Sequence, residues 1–307
     1  MTSLTKGILL VCFSVFSGAL MALFYKLTYA DLTIYDRTLA RGLLSLAVCL
    51  IVITILRKKN KANPPAYFAK RGNEFMMFVR CSMGFIGVLS YVYCVDTLSL
   101  ADADMMTKLT AIFIIPFGAL FFKQDKINKV QVLVVFISII GAIFIIKPSF
   151  NNPLLFSYAI GILCAVTAAL AALAIRCLVA LAPNPENPIT VESSLALFMV
   201  VACLYPSIRD FQGFNSDPHV YLFLFLSSAF GVIAQYTFSF AFKYAPAVEV
   251  NVYQYSSLLW SSLFGFIFFS FVPDWRSILG YFCIVGGGII LYLYNLSQSR
   301  KNTRPLS

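Results

Sequence analysis

Polar residues along this chain are punctuation between long apolar runs, each about 20 residues, the length that spans a hydrocarbon core of about 30 Å. There are about ten such runs: Gly7–Tyr29, Thr33–Leu56, Phe75–Asp96, Leu100–Phe122, Lys129–Lys147, Leu154–Leu181, Pro188–Ile208, Pro218–Tyr244, Val248–Phe271 and Ile278–Leu296. Short connections rich in breakers separate them, among them Asn63–Pro65, Lys147–Pro153, Ala182–Pro188, Tyr244–Pro246 and Val272–Trp275. No connection is long enough for a soluble domain, so function must lie among the helices. The pattern predicts an all-α polytopic membrane protein.

Composition strengthens that picture. The 307 residues are 60% hydrophobic and 12% charged, about half the charge of a soluble domain, and the mean hydropathy is +0.84. A net charge of +10 raises the question of nucleic acid, but the cations crowd into the short connections, as membrane topology requires. Nucleic acid is therefore not an expected partner. Arg57, Lys58, Lys59, Lys61, Lys70 and Arg71 follow the second run, Lys123, Lys126 and Lys129 follow the fourth, and Arg300, Lys301 and Arg304 close the chain. All fall on one side when both termini are cytoplasmic, whereas Asp31, Asp96, Asp102, Asp210 and Asp217 fall on the other. The first run is too long for a signal-peptide core and lacks a small-residue cleavage site, so it reads as a span.

Little catalytic or metal-binding material is present. His219 is the single histidine; Cys12, Cys49, Cys94 and Cys164 stand singly in apolar runs and read as packing residues. No G-x-S-x-G or H-E-x-x-H occurs. The expectation is no enzyme, no cofactor and no metal; no P-loop points to ATP.

Shifted by 144 residues, the sequence begins to match itself. Gly87–Cys94 lies over Gly231–Phe238, Ala101 over Ala245, Ala103 over Ala247, and Ile139–Ile146 resembles Ile284–Leu291 after one insertion. Five runs per copy is an odd number, so the second copy is expected upside down: two inverted five-helix repeats, residues 1–147 and 154–296, with a tail at 297–307. Inverted repeats with a midplane site are the plan of many secondary transporters.

"LARGLL" (Leu39–Leu44), "LSLADADMMTKLTAIFIIPFGALFFKQD" (Leu98–Asp125) and "VQVLVVFISIIGAIFII" (Val130–Ile146) resemble the EamA-type members of the drug/metabolite transporter superfamily. Two departures are visible: Gln124-Asp125 stands where the family usually has Gly-Glu, and the second copy has Trp260 opposite Pro116 and "FVPD" at Phe271–Asp274. The resemblance implies a central path bounded by helices 1, 3, 4, 6, 8 and 9. It also implies a substrate drawn from exported amino acids and drugs, from imported cofactors such as S-adenosylmethionine, or from sugar phosphates, and a bacterial cytoplasmic membrane.

Charges inside spans face a cavity or a partner, because even lenient scales put their cost at about 2.5–3.5 kcal/mol at a helix centre. Lys26, Arg41 and Lys108 share one depth and together suit a carboxylate or phosphate. Asp104, four residues before Lys108, shares its helix face, so Lys108 reads either as a cavity cation or as a locally paired one. Arg176 aligns with Lys26 in the second copy. Glu249, Glu192 and Lys243 outline an inner ring, with Glu249 and Asp104 the candidate coupling carboxylates. Polar stripes add Tyr25, Tyr91, Gln235, Tyr253, Gln254 and Trp260 as cavity lining. Pro116 is expected to bend the fourth helix, and Gly286–Gly288 to permit close packing. The expected partners are a small organic solute, the bilayer, and a proton or counter-solute that drives movement by alternating access.

Overall fold

The computed structural model describes residues 3–59, 64–121, 129–146, 153–210, 217–244 and 253–302. The helices are α1 (Ser3–Leu27), α2 (Ile34–Lys59), α3 (Glu74–Thr97), α4 (Leu100–Lys108), α5 (Thr110–Phe121), α6 (Lys129–Ile146), α7 (Leu155–Arg176), α8 (Pro188–Arg209), α9 (Pro218–Tyr244), α10 (Ser257–Phe269) and α11 (Trp275–Asn302). No strand occurs among the described residues. Among the described residues, seven helices are long and apolar enough to cross a membrane: α1, α2, α3, α7, α8, α9 and α11. The remaining predicted runs take shorter forms. The fifth is the 18-residue α6. The described part of the ninth holds a three-residue turn, Gln254–Ser256, and the 13-residue α10.

The fourth run is broken, and not where the sequence points. Its interruption is at Leu109, whose N–H turns back to Met106 and Thr107; the next bond, Ile112 N–H to Leu109 O at 2.9 Å, is again a tightened one. Pro116 instead lies inside α5. α11 runs on to Asn302, so residues 297–302 continue the last helix.

The main packing is antiparallel: α1 on α9, α2 on α8, α3 on α7 and α6 on α11, with α4 against α7 and α10. Small residues make the approaches possible. Gly42 faces Met199 and Val200, and Gly87 faces Thr167. Cysteine thiols reach across α3 and α7, from Cys94 to the Ser157 carbonyl and from Cys164 to that of Gly87. α6 and α11 meet backbone to backbone: a Cβ at Gly280 would lie 2.6 Å from the Gly141 carbonyl oxygen. In the predicted glycine run, Gly287 faces Ser138, and Gly288 holds the Tyr255 ring against its Cα.

α10 ends on Ser270, a non-glycine residue in the left-handed region at φ 50°. Ser270 N–H bonds to Phe266 O and Phe271 N–H to Gly265 O, both at 3.1 Å, the pattern in which glycine normally serves.

Candidate solute site

Arg41, two turns into α2, extends between α1, α3 and α9. Its Nη2 donates to Gln235 Oε1 at 3.2 Å. Tyr25 of α1 is fully buried, and its hydroxyl has no hydrogen-bond partner among the described residues. It stands beside the Arg41 guanidinium. Tyr91 of α3 lies within electrostatic reach of Arg41, Tyr25, Asp104 and Cys164. Gly231 makes room for the arginine: a Cβ there would meet Met21 Sδ at 2.8 Å and Arg41 Nε at 3.4 Å. Four residues singled out from the sequence, Tyr25, Arg41, Tyr91 and Gln235, thus meet in one cluster. Among the described residues, Arg41 has no carboxylate partner. A guanidinium in this setting offers a planar fork of donors matched to a carboxylate or phosphate.

The other two cations of the predicted mouth are engaged. Lys26 Nζ donates to the carbonyls of Val95 (3.0 Å) and Leu98, capping the end of α3, and lies 5.5 Å from the centre of the Phe269 ring. Lys108 pairs with Asp104 at 3.4 Å across one helical turn. The second oxygen of Asp104 accepts from Ser257 Oγ of α10 at 2.5 Å. Lys108 also lines a small recess at the α4–α5 break, with Ser138, Tyr255, Ile284 and Gly288.

Around Lys26 the bundle is closed by buried polar contacts. Arg37 holds Asp96 with both terminal nitrogens, and its Nη1 also donates to Tyr25 O at 2.7 Å. Asp102 accepts from the Tyr281 hydroxyl at 2.7 Å and from Tyr158 at 3.3 Å. These contacts tie α1, α2, α3, α4, α7 and α11 together at one end. Sequence reasoning passed over Arg37, Tyr158 and Tyr281. An available signal was that Arg37 precedes Arg41 by one turn and so enters the membrane on the same helix face.

At the opposite end, the connection before α8 is strapped to the segment before α3. Glu186 Oε1 accepts from Lys70 N (2.6 Å) and Asn73 Nδ2 (2.9 Å), and Thr190 Oγ1 donates to Ala66 O at 2.7 Å. Nearby, Arg80 of α3 meets Glu192 of α8 at 3.5 Å. Arg80, too, was not singled out in the sequence.

The remaining candidates lie apart from the Arg41 cluster. Arg176 is exposed where α7 passes into a wider turn at Cys177–Leu181. Tyr253 is exposed, and Gln254 sits in the short turn before α10. Trp260 packs edge-on against Phe16 at 4.8 Å. Ser14 of α1 donates across to Ala234 O of α9. Glu249 lies outside the described residues, as does the side chain of Lys243.

Apolar helices arranged around a half-buried guanidinium, a buried phenol and an amide make a polytopic membrane protein with a polar interior. The chain belongs to the EamA-like transporter family, whose sequence pattern matches residues 5–147 and 155–293. It is 27% identical over 300 residues to the pseudopaline exporter CntI of Pseudomonas aeruginosa, covering 97% of this chain and 98% of that one. It is 24% identical over 237 residues to an uncharacterized transporter of Helicobacter pylori, covering 76% and 78%. Over 248 residues it is 26% identical to human solute carrier family 35 member G1, covering 76% and 67%. A crystal structure of a protein 14% identical aligns over 98% of this chain and 99% of its own, with a TM-score of 0.65, a likeness of fold alone.

Proposed function

We propose that this transporter is a secondary active exporter of a carboxylate-bearing small solute, an amino acid or related metabolite, across the cytoplasmic membrane. The observation that carries the reading is Arg41: a cation within a spanning helix, joined to Gln235 and faced by the unpartnered Tyr25 hydroxyl, but with no acid of its own among the described residues. An intramembrane charge is costly until paired, and a solute carboxylate would complete this one. The export direction takes its support from the relative named as an exporter.

Movement is by alternating access between two inverted five-helix units, 1–147 and 154–296. The pairing of helices supports this: α1 with α9, α3 with α7, α2 with α8 and α6 with α11. Exchanging the two units, span for span, carries this set of pairs onto itself. The Lys26 end is extracytoplasmic, following the cation bias of the connections, and both termini are inside. Asp104 is the coupling carboxylate of this reading: it holds Lys108 and, through Ser257, ties α4 to α10.

The test is counterflow in proteoliposomes with L-glutamate, L-histidine, citrate and pseudopaline. At least one is expected to exchange, and Arg41→Gln to abolish exchange while the protein still elutes as a folded species. Undiminished exchange in that variant would remove Arg41 as the anion receptor. Accumulation unaffected by a pH gradient, in wild type and Asp104→Asn alike, would remove the proton.

A further inference from the structure

From Arg41, α2 presents Ser45 and then Cys49 at four-residue intervals, one side of the helix. Cys49 Sγ lies 2.8 Å from the hydroxyl of Tyr236, the α9 residue that follows Gln235. Cys49, Tyr236 and Cys81 all fall within electrostatic reach of Glu192. A polar column therefore leads from the Arg41 cluster to Arg80 and Glu192, bounded by α2, α3, α8 and α9. Along α2 it covers two turns, about 12 Å.

Arg80 is an unusual ion-pair partner. The residue is 5% exposed, yet its Nε has no partner among the described residues. Its contact to Glu192 is a single one, Nη2 to Oε1 at 3.5 Å, and Glu192 is 21% exposed. Gly84, one turn further on, leaves the space that the guanidinium occupies, since a Cβ there would collide with Nη1. A structural arginine closes on its acid through two bonds of about 2.7–2.9 Å, as Arg37 does on Asp96 at 2.7 and 2.5 Å. Arg80 instead keeps donors unspent beside a loosely held carboxylate.

We propose that Arg80 is a second anion-binding station, which takes the solute's carboxylate at the Arg80 end of the column. Glu192 is its tethered competitor, filling Arg80 when no solute is there and displacing solute onward to Arg41. This rests on the reading of the solute as a carboxylate. Two stations on one column give the anion a stepwise path instead of a single deep well, and Glu192 keeps the second shallow.

The experiment measures binding by thermal shift of the purified full-length protein in detergent, with L-glutamate, L-histidine, citrate and pseudopaline as probes. Glu192→Gln is expected to tighten binding of the responding probe about tenfold. Adding Arg80→Gln should cancel that gain; this double variant replaces the pair by two neutral amides, so no buried charge is stranded. Glu192→Ser repeats the test with a shorter polar group. Wild-type binding that neither Glu192 variant tightens would overturn the station while leaving Arg41 as the receptor. Tightening that persists in the double variant would overturn Arg80 as its source. A wild type that responds to none of the four probes would overturn the carboxylate reading itself, and the station with it.

Discussion

Arg37 holds Asp96 through two parallel hydrogen bonds, Nη1 to Oδ1 at 2.7 Å and Nη2 to Oδ2 at 2.5 Å, in a setting where the arginine is 1% exposed. Breaking a buried pair from one side leaves the other charge stranded, at a cost of about 3–5 kcal/mol. Asp96→Asn is therefore expected to lower the thermal midpoint in detergent sharply. The double variant Arg37→Met/Asp96→Leu, which removes both charges, should recover most of the loss. A double variant as unstable as the single would show that Arg37 acts through Tyr25 O and the Tyr25 ring, which it also contacts.

Tyr281 and Tyr158 both donate to Asp102, from α11 and α7. Tyr281→Phe keeps the ring and deletes the shorter bond. A hydrogen bond to a charged group contributes about 1.5–3 kcal/mol, and in the proposed alternating-access cycle it would belong to the closed form of this end. The variant should thus expose the Lys26 end more often, read as faster labelling of a Ser99→Cys reporter by a membrane-impermeant maleimide in a background cleared of reactive cysteines. An unchanged labelling rate would assign the bond to both forms.

Gly141 and Gly280 bring the backbones of α6 and α11 together. Gly280→Ala would force them apart, and overpacking of this kind costs about 1–3 kcal/mol. The expected result is a lower thermal midpoint, with Gly265→Ala as the control, because a Cβ at Gly265 meets nothing within 4 Å. Equal effects at the two sites would mean that backbone propensity, not contact, decides.

Ser270 occupies the left-handed region at the end of α10, a conformation that costs an L-residue about 1–2 kcal/mol. Ser270→Gly removes that cost but adds freedom to the unfolded chain. A net gain of about 0.5–1 kcal/mol is expected, seen as a higher thermal midpoint with transport unchanged.

Membrane class and helical content were legible because they rest on composition and run length, and the Asp104–Lys108 pair because it is one turn apart on one helix. What the sequence hid was long-range. Arg37 and Asp96 are 59 residues apart, and Asp96 reads as a loop acid closing the third run. Arg80 lies inside an apolar run, and only the fold brings Glu192 to it across 112 positions. The break at Leu109 also escaped: neither glycine nor proline marks it, whereas Pro116, which does look like a breaker, sits within α5. Arg41, Tyr25, Tyr91 and Gln235 were legible as separate polar points on four helices, but their meeting depends on how those helices pair.

That pairing bears on how the protein is made. Every one of the closest helix contacts, α1 on α9, α2 on α8, α3 on α7 and α6 on α11, joins a helix synthesised early to one synthesised late. In the proposed two-unit plan the first six helices, α1 to α6, would enter the bilayer during translation with their small-residue faces still turned to lipid. They gain their partners only as the second set follows, the last helix closing on α6. On that plan assembly would be an interlocking of two separately inserted bodies, and two polypeptides divided near residue 150 should find each other and rebuild the transporter when produced in the same cell.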